Sequence, residues 1–127
     1  MSLPAILEEL AARLPERVRV FHNDTDPTDV WVTHVEVKYE GWRDVWWGGD
    51  MPRWNQAWAL EGMLREECEA RGWTWTVEYV QPGNYWSHID RPDYRHGFGS
   101  HGAATPAEAL AVALLVALAS GVSQAAK

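Results

Sequence analysis

Thr105-Pro106-Ala107-Glu108-Ala109-Leu110-Ala111-Val112-Ala113-Leu114-Leu115-Val116-Ala117-Leu118-Ala119 is the stretch whose reading decides the fold. Thr105 can cap a helix N-terminus, Pro106 suits the first helical position where no N–H is needed, and Glu108 completes a capping box. Apart from Glu108 the segment is apolar on every side, so the helix has to be covered on most of its surface. At about fourteen residues it is shorter than the roughly twenty that span a bilayer. It is therefore predicted as a core helix whose alanines let a sheet or another helix come close.

Working back from it, Gly97-Phe98-Gly99-Ser100-His101-Gly102 leads into that helix and formally spells G-x-G-x-x-G. It fails as a dinucleotide fingerprint, because no strand follows the helix and no acid stands some twenty residues on. In weaker form it predicts free amides at a helix N-terminus, where an anion is favoured. Upstream, Tyr94 to Phe98 is predicted as a short strand, Arg91-Pro92-Asp93 as a turn and Tyr85 to Ile89 as a strand. Trp73-Thr74-Trp75-Thr76-Val77-Glu78-Tyr79-Val80 is the clearest strand of all, with Trp73, Trp75, Val77 and Tyr79 on one side.

Further back, a helix is predicted from about Arg53 to Arg71, with Asp50 as its cap and Gly72 as its stop. Val30 to Tyr39 alternates, with Trp31, Thr33, Val35, Val37 and Tyr39 on the buried face, and Trp42 to Trp47 returns as a hairpin arm after Glu40-Gly41. Arg17 to Phe21 is a short strand, followed by a polar loop through Asp29 whose three Asp do not fit a calcium loop. Leu3, Ile6, Leu7, Leu10 and Leu14 define an N-terminal amphipathic helix capped by Ser2 and ended by Pro15.

The predicted fold class is α+β: a small, mostly antiparallel sheet layered with three helices in the order α-β-ββ-α-ββ-α. Residues 1–120 are predicted to form a single domain, with a frayed tail over 121–127. A length of 127 residues and 23% charged residues suit one globular domain. A net charge of −7 argues against general nucleic-acid binding. The lone Cys68 permits no internal disulfide, and Met1 to Glu9 shows no signal peptide, so the expected location is the cytoplasm. No membrane association is expected. Nine tryptophans are the compositional outlier, serving cores and binding surfaces alike.

Residues from about 50 to 120 resemble the phage α/β/α-sandwich family, small phage and prophage proteins. The resemblance lies in Trp54-Asn55-Gln56-Ala57-Trp58 opening the middle helix, Arg71-Gly72-Trp73 closing it into a strand, and Gly102 to Leu110 leading into the alanine-rich terminal helix. The segment from Pro82 to His101 departs from it in being richer in histidine and aromatics. The resemblance implies the layered fold, a phage-like origin with the host cytoplasm as location, and no catalytic motif.

Titratable and aromatic residues concentrate between Tyr85 and Gly102, and functional groups favour non-helical segments held by a rigid frame. The candidate ligand-binding residues are Trp86, His88, Arg91, Tyr94, Arg95, His96, Gly97, Gly99, His101 and Gly102. Arg95, His96 and His101 supply charge, and Trp86 or Tyr94 stacks on a base. His88, Asp90, His96 and His101 are conceivable metal ligands, but no spacing matches a known metal motif, so no metal and no cofactor are expected. Cys68 is expected to be buried, and no catalytic constellation is present. The leading expectation is a non-catalytic accessory protein that binds a small anionic, nucleotide-like ligand, for instance to sequester a defence signal. The alternatives are an acidic inhibitor of a host protein and a homo-oligomeric assembly module joined through the terminal helix.

Overall fold

The structure, a computed structural model, describes residues 2–22, 32–48 and 53–120. Predictions for the loop after His22, the orientation of Trp31 and Thr33, the Asp50 cap and the tail over 121–127 fall outside the described residues or side chains. The chain divides into two compact units, residues 1–63 and 64–127, and the boundary falls inside one helix.

The first unit begins with α1 (Leu3–Arg13), where the Ser2 hydroxyl accepts from the Ala5 N–H and Ile6, Leu7 and Leu10 are buried. Strands β1 (Val18–His22), β2 (Val32–Lys38), β3 (Trp42–Trp47) and β4 (Arg53–Trp54) follow and form one antiparallel sheet in that order. Val35 and Val37 are fully buried while His34, Glu36 and Lys38 are not, as period-two patterning requires. Glu40 and Gly41 turn β2 into β3 with positive φ at both residues.

Helix α2 (Ala57–Ala70) starts four residues later than the sequence predicts. Arg53 and Trp54 are drawn into a ladder with Trp47 and Trp46, and the Asn55 N–H donates to the Val45 carbonyl. An aromatic residue gains more from a half-buried sheet edge than from a first helical turn. The C-terminus of α2 follows prediction: Gly72 takes φ +73°, and the Trp73 N–H reaches back to the Cys68 carbonyl at 2.9 Å.

In the second unit β5 (Thr74–Gln81), β6 (Asn84–Asp90) and β7 (Phe98–Ala103) form an antiparallel sheet in sequence order. The last strand lies later than the predicted Tyr94 to Phe98. Phe98 and Ser100 point inward and Gly99 and His101 outward, so the glycine run itself is the strand. Helix α3 (Pro106–Ala119) packs on β5, β6 and β7 and is buried at eight positions, with Val116 left 43% exposed.

The α+β class and antiparallel pairing stand, with seven strands among the described residues divided between two sheets rather than gathered in one. Among those residues no helix is long and apolar enough to cross a membrane.

Candidate functional site

Because α3 lies against one face of the β5–β6–β7 sheet, the alternation along each strand decides what the other face carries. Ser87 and Ile89 are buried, whereas Trp86, His88 and Asp90 are exposed on β6. Cross-strand register sets Thr76 opposite His88, Glu78 opposite Trp86 and Gly99 opposite His88. The result is a groove of about 260 Å³ lined by Thr76, Glu78, Trp86, Ser87, His88, Gly99 and His101. Four of the ten predicted residues, Trp86, His88, Gly99 and His101, line it.

The groove is built to stay open. The Trp86 and His101 rings meet edge to face at 4.4 Å between centroids, a preferred aromatic geometry. The Trp86 indole N–H donates to Asn84 Oδ1 at 3.1 Å, which fixes the ring while leaving it 40% exposed. His88 Nε2 lies 3.1 Å from Asp90 Oδ1. Gly97 explains how the imidazole lies so low: a Cβ there would come within 2.0 Å of His88 Nε2. At Gly99 a Cβ would meet nothing closer than 3.6 Å, so the floor beside it is bare backbone.

The other predicted residues do different work. Arg91 is 6% exposed. Its Nε donates to Asp93 Oδ1 at 2.9 Å, its Nη2 to Asp93 Oδ2, and its Nη1 to the Ala117 carbonyl at 2.8 Å. That cation is already committed to the half-exposed Asp93 carboxylate and a helix carbonyl, and its hydrogen bonds to Asp93 pull that carboxyl below its ordinary range. Tyr94 donates its hydroxyl to the Ser120 carbonyl at 2.6 Å and packs edge-on against Phe98. Both residues therefore fasten the end of α3. Arg95 and His96 stand exposed in the bend before β7, and Gly102 takes φ +77° near the end of that strand.

The expected row of free amides at the root of α3 is not formed. Pro106 has no N–H, the Glu108 N–H is bound by Thr105 Oγ1 at 3.1 Å, and the Ala109 N–H is bound by the Thr105 carbonyl. The Thr105 cap that starts the helix uses a donor an anion would need. Thr76 and Glu78 were missed by sequence reasoning, since both read as the solvated side of β5. Only pairing with β6 turns that side into a groove wall.

The conceivable metal ligands of the sequence are not brought together. Among the described residues, His88, Asp90, His96 and His101 form no cluster of three ligand atoms. Burial pushes the Cys68 thiol up to about 11, which leaves it an inert core residue. The chain matches no protein-family model, no curated protein and no solved structure.

Proposed function

We propose that this chain is a non-catalytic accessory protein of phage type that binds a small nucleotide-like molecule on the open face of the β5–β6–β7 sheet. The observation that carries the reading is the exposed Trp86 ring, braced by His101 and Asn84 above a glycine-floored groove. Base-on-aromatic stacking contributes about 1–3 kcal/mol per base, and a strand face presents such a ring with little rotamer entropy left to lose. Glu78 and Thr76 offer acceptors to an exocyclic amine, while His88 and His101 offer donors to ring carbonyls.

Size narrows the ligand class. A volume of about 260 Å³ falls below the roughly 300–1,000 Å³ of sites that enclose drug-sized molecules. One ring system fits, with sugar and phosphate lying outside the groove; Arg95, exposed in the bend before β7, is a cation on the same unit. A mononucleotide suits this groove better than a cyclic dinucleotide.

Calorimetric titration with the four common nucleoside monophosphates tests the reading. At least one is expected to bind at one site per chain, with Trp86→Ala and Gly97→Ala each losing the heat while circular dichroism stays native. Silence from all four nucleotides, or binding that survives Trp86→Ala, would remove the proposal.

A further inference from the structure

A second group of polar side chains lies on the first unit's sheet. His34 and Glu36 are two residues apart on β2 and share a face, and Asp44 on β3 is the direct cross-strand partner of Glu36. One ligand atom from each of the three lies within 4.8 Å of the others, and all three residues are half-buried. Two carboxylates directly opposite each other in an antiparallel pair repel. Arg19 Nη2 answers one of them, lying 3.1 Å from Glu36 Oε1. Asp44 is left unanswered: its Oδ1 is closed off from solvent and has no hydrogen-bond partner among the described residues. A buried acceptor without a donor is costly, and its presence calls for a missing partner.

The surroundings are those of a held ligand set. The His34 imidazole is stacked between Phe21, 4.1 Å away and nearly parallel to it, and Trp47, 5.1 Å away. Its Nε2 lies 3.9 Å from Glu36 Oε2. Arg19 is itself anchored over the Trp42 ring at 3.5 Å, so it fixes the outer oxygen of Glu36 and leaves the inner one toward His34. Such outer partners commonly orient metal-ligating carboxylates and imidazoles.

We infer that His34, Glu36 and Asp44 form a binding site for a first-row divalent cation of the zinc class. One imidazole nitrogen with two carboxylate oxygens matches zinc, whereas calcium takes six to eight oxygens and magnesium keeps its waters. Three ligand atoms no more than 4.8 Å apart have a centre at most about 2.8 Å from each, so closing to the roughly 2.0–2.2 Å of zinc–nitrogen and zinc–oxygen bonds takes side-chain shifts below about 1 Å. Three protein ligands leave a coordination position open to water or a small ligand. Spacing along the chain hides this site, because the third ligand comes from the next strand and meets the other two only through cross-strand register.

Calorimetric titration of the full chain with zinc chloride is expected to show one site. Asp44→Asn and Glu36→Gln should each weaken it at least about tenfold, the smallest loss typical of removing even an outer-sphere partner. His22→Gln, a surface histidine paired with Glu8, should leave the isotherm as it was. Electron paramagnetic resonance of the copper-loaded wild type should show one nitrogen donor with oxygens, a readout that needs no variant to fold. Absence of saturable zinc binding, wild-type affinity in both carboxylate variants, or two or more nitrogen donors would overturn the assignment.

Discussion

Arg91 shows how one side chain can be misread from sequence and explained by structure. In the sequence it lies among histidines and aromatics and looks like an anion-binding cation. In the fold its guanidinium lies beside Trp73, Tyr94 and Phe98 and joins Asp93 to the last turn of α3. Arg91 is buried but Asp93 is half-exposed, so solvent screens the ion pair, and the larger loss on truncation is the bond to the Ala117 carbonyl and the packing against three rings. Arg91→Ala is therefore expected to lower stability by about 1–3 kcal/mol in urea denaturation, the cost of leaving a buried carbonyl without its donor, and Arg91→Lys by part of that, since an ammonium cannot reproduce the planar fork. Asp93 titrates accordingly. Its carboxyl is held below the usual value by Arg91, so the contribution is present above the unfolded value near pH 4 and lost as pH falls through the folded one. Asp93→Asn should flatten that acid limb in a pH series of melting temperatures. Cys68 behaves in the opposite sense: with its thiol raised to about 11, it favours folding up to about pH 9 and loses that contribution as pH climbs further. An alkylating reagent at pH 8 should modify it only on unfolding. The sequence places Arg91 two residues from Asp93 but does not show that the same guanidinium also reaches the end of α3.

At the scale of elements, the helices were legible wherever the capping chemistry was complete. Ser2 before Leu3 and Thr105 before Pro106 are caps in the structure as in the sequence. Thr105→Ala is expected to cost about 1 kcal/mol, read from the shift in the denaturation midpoint. Where the sequence held two competing signals, the prediction slipped. Trp54 fits both a helical stripe and a sheet edge, and pairing with Trp46 decided for the sheet. Gly97 to Gly102 fits both a phosphate loop and a strand, and the unpaired edge of β6 decided for the strand. The candidate groove was half legible for the same reason: β6 and β7 supplied residues that looked functional, and β5 supplied ordinary strand residues that only register brings beside them.

For the molecule as a whole, charge limits the range of partners. A net −7 spread over 127 residues gives no basic stripe to follow a phosphate backbone, and that electrostatic contribution dominates non-specific binding. The chain is expected to pass unretarded through heparin at about 0.1 M salt and to leave duplex DNA unshifted in a gel assay; retention on either would show a local basic patch outweighing the total. The number of sheets was beyond sequence reasoning, since antiparallel neighbours are equally compatible with one sheet of seven strands and two smaller ones. What separates them is the long α2 between β4 and β5, and nothing in its composition says whether the next strand rejoins the previous edge.

The register of β2 with β3 shifts between Val35 and Glu36, so that Glu36 faces Asp44 while Val35 faces Trp46. Val45 is the supernumerary residue, and it is buried together with its neighbour Trp46, whereas a regular strand would send the two to opposite sides. That single insertion keeps an acid and an indole three positions apart on the same surface. Deleting Val45 would put the strand back in phase with the same cross-strand pairs, leaving Asp44 and Trp47 two positions apart and still on that surface. The extra codon therefore serves the interior rather than the exterior: it adds one fully buried valine beneath the sheet, and a gene shortened by it would encode the same outward row over a thinner core.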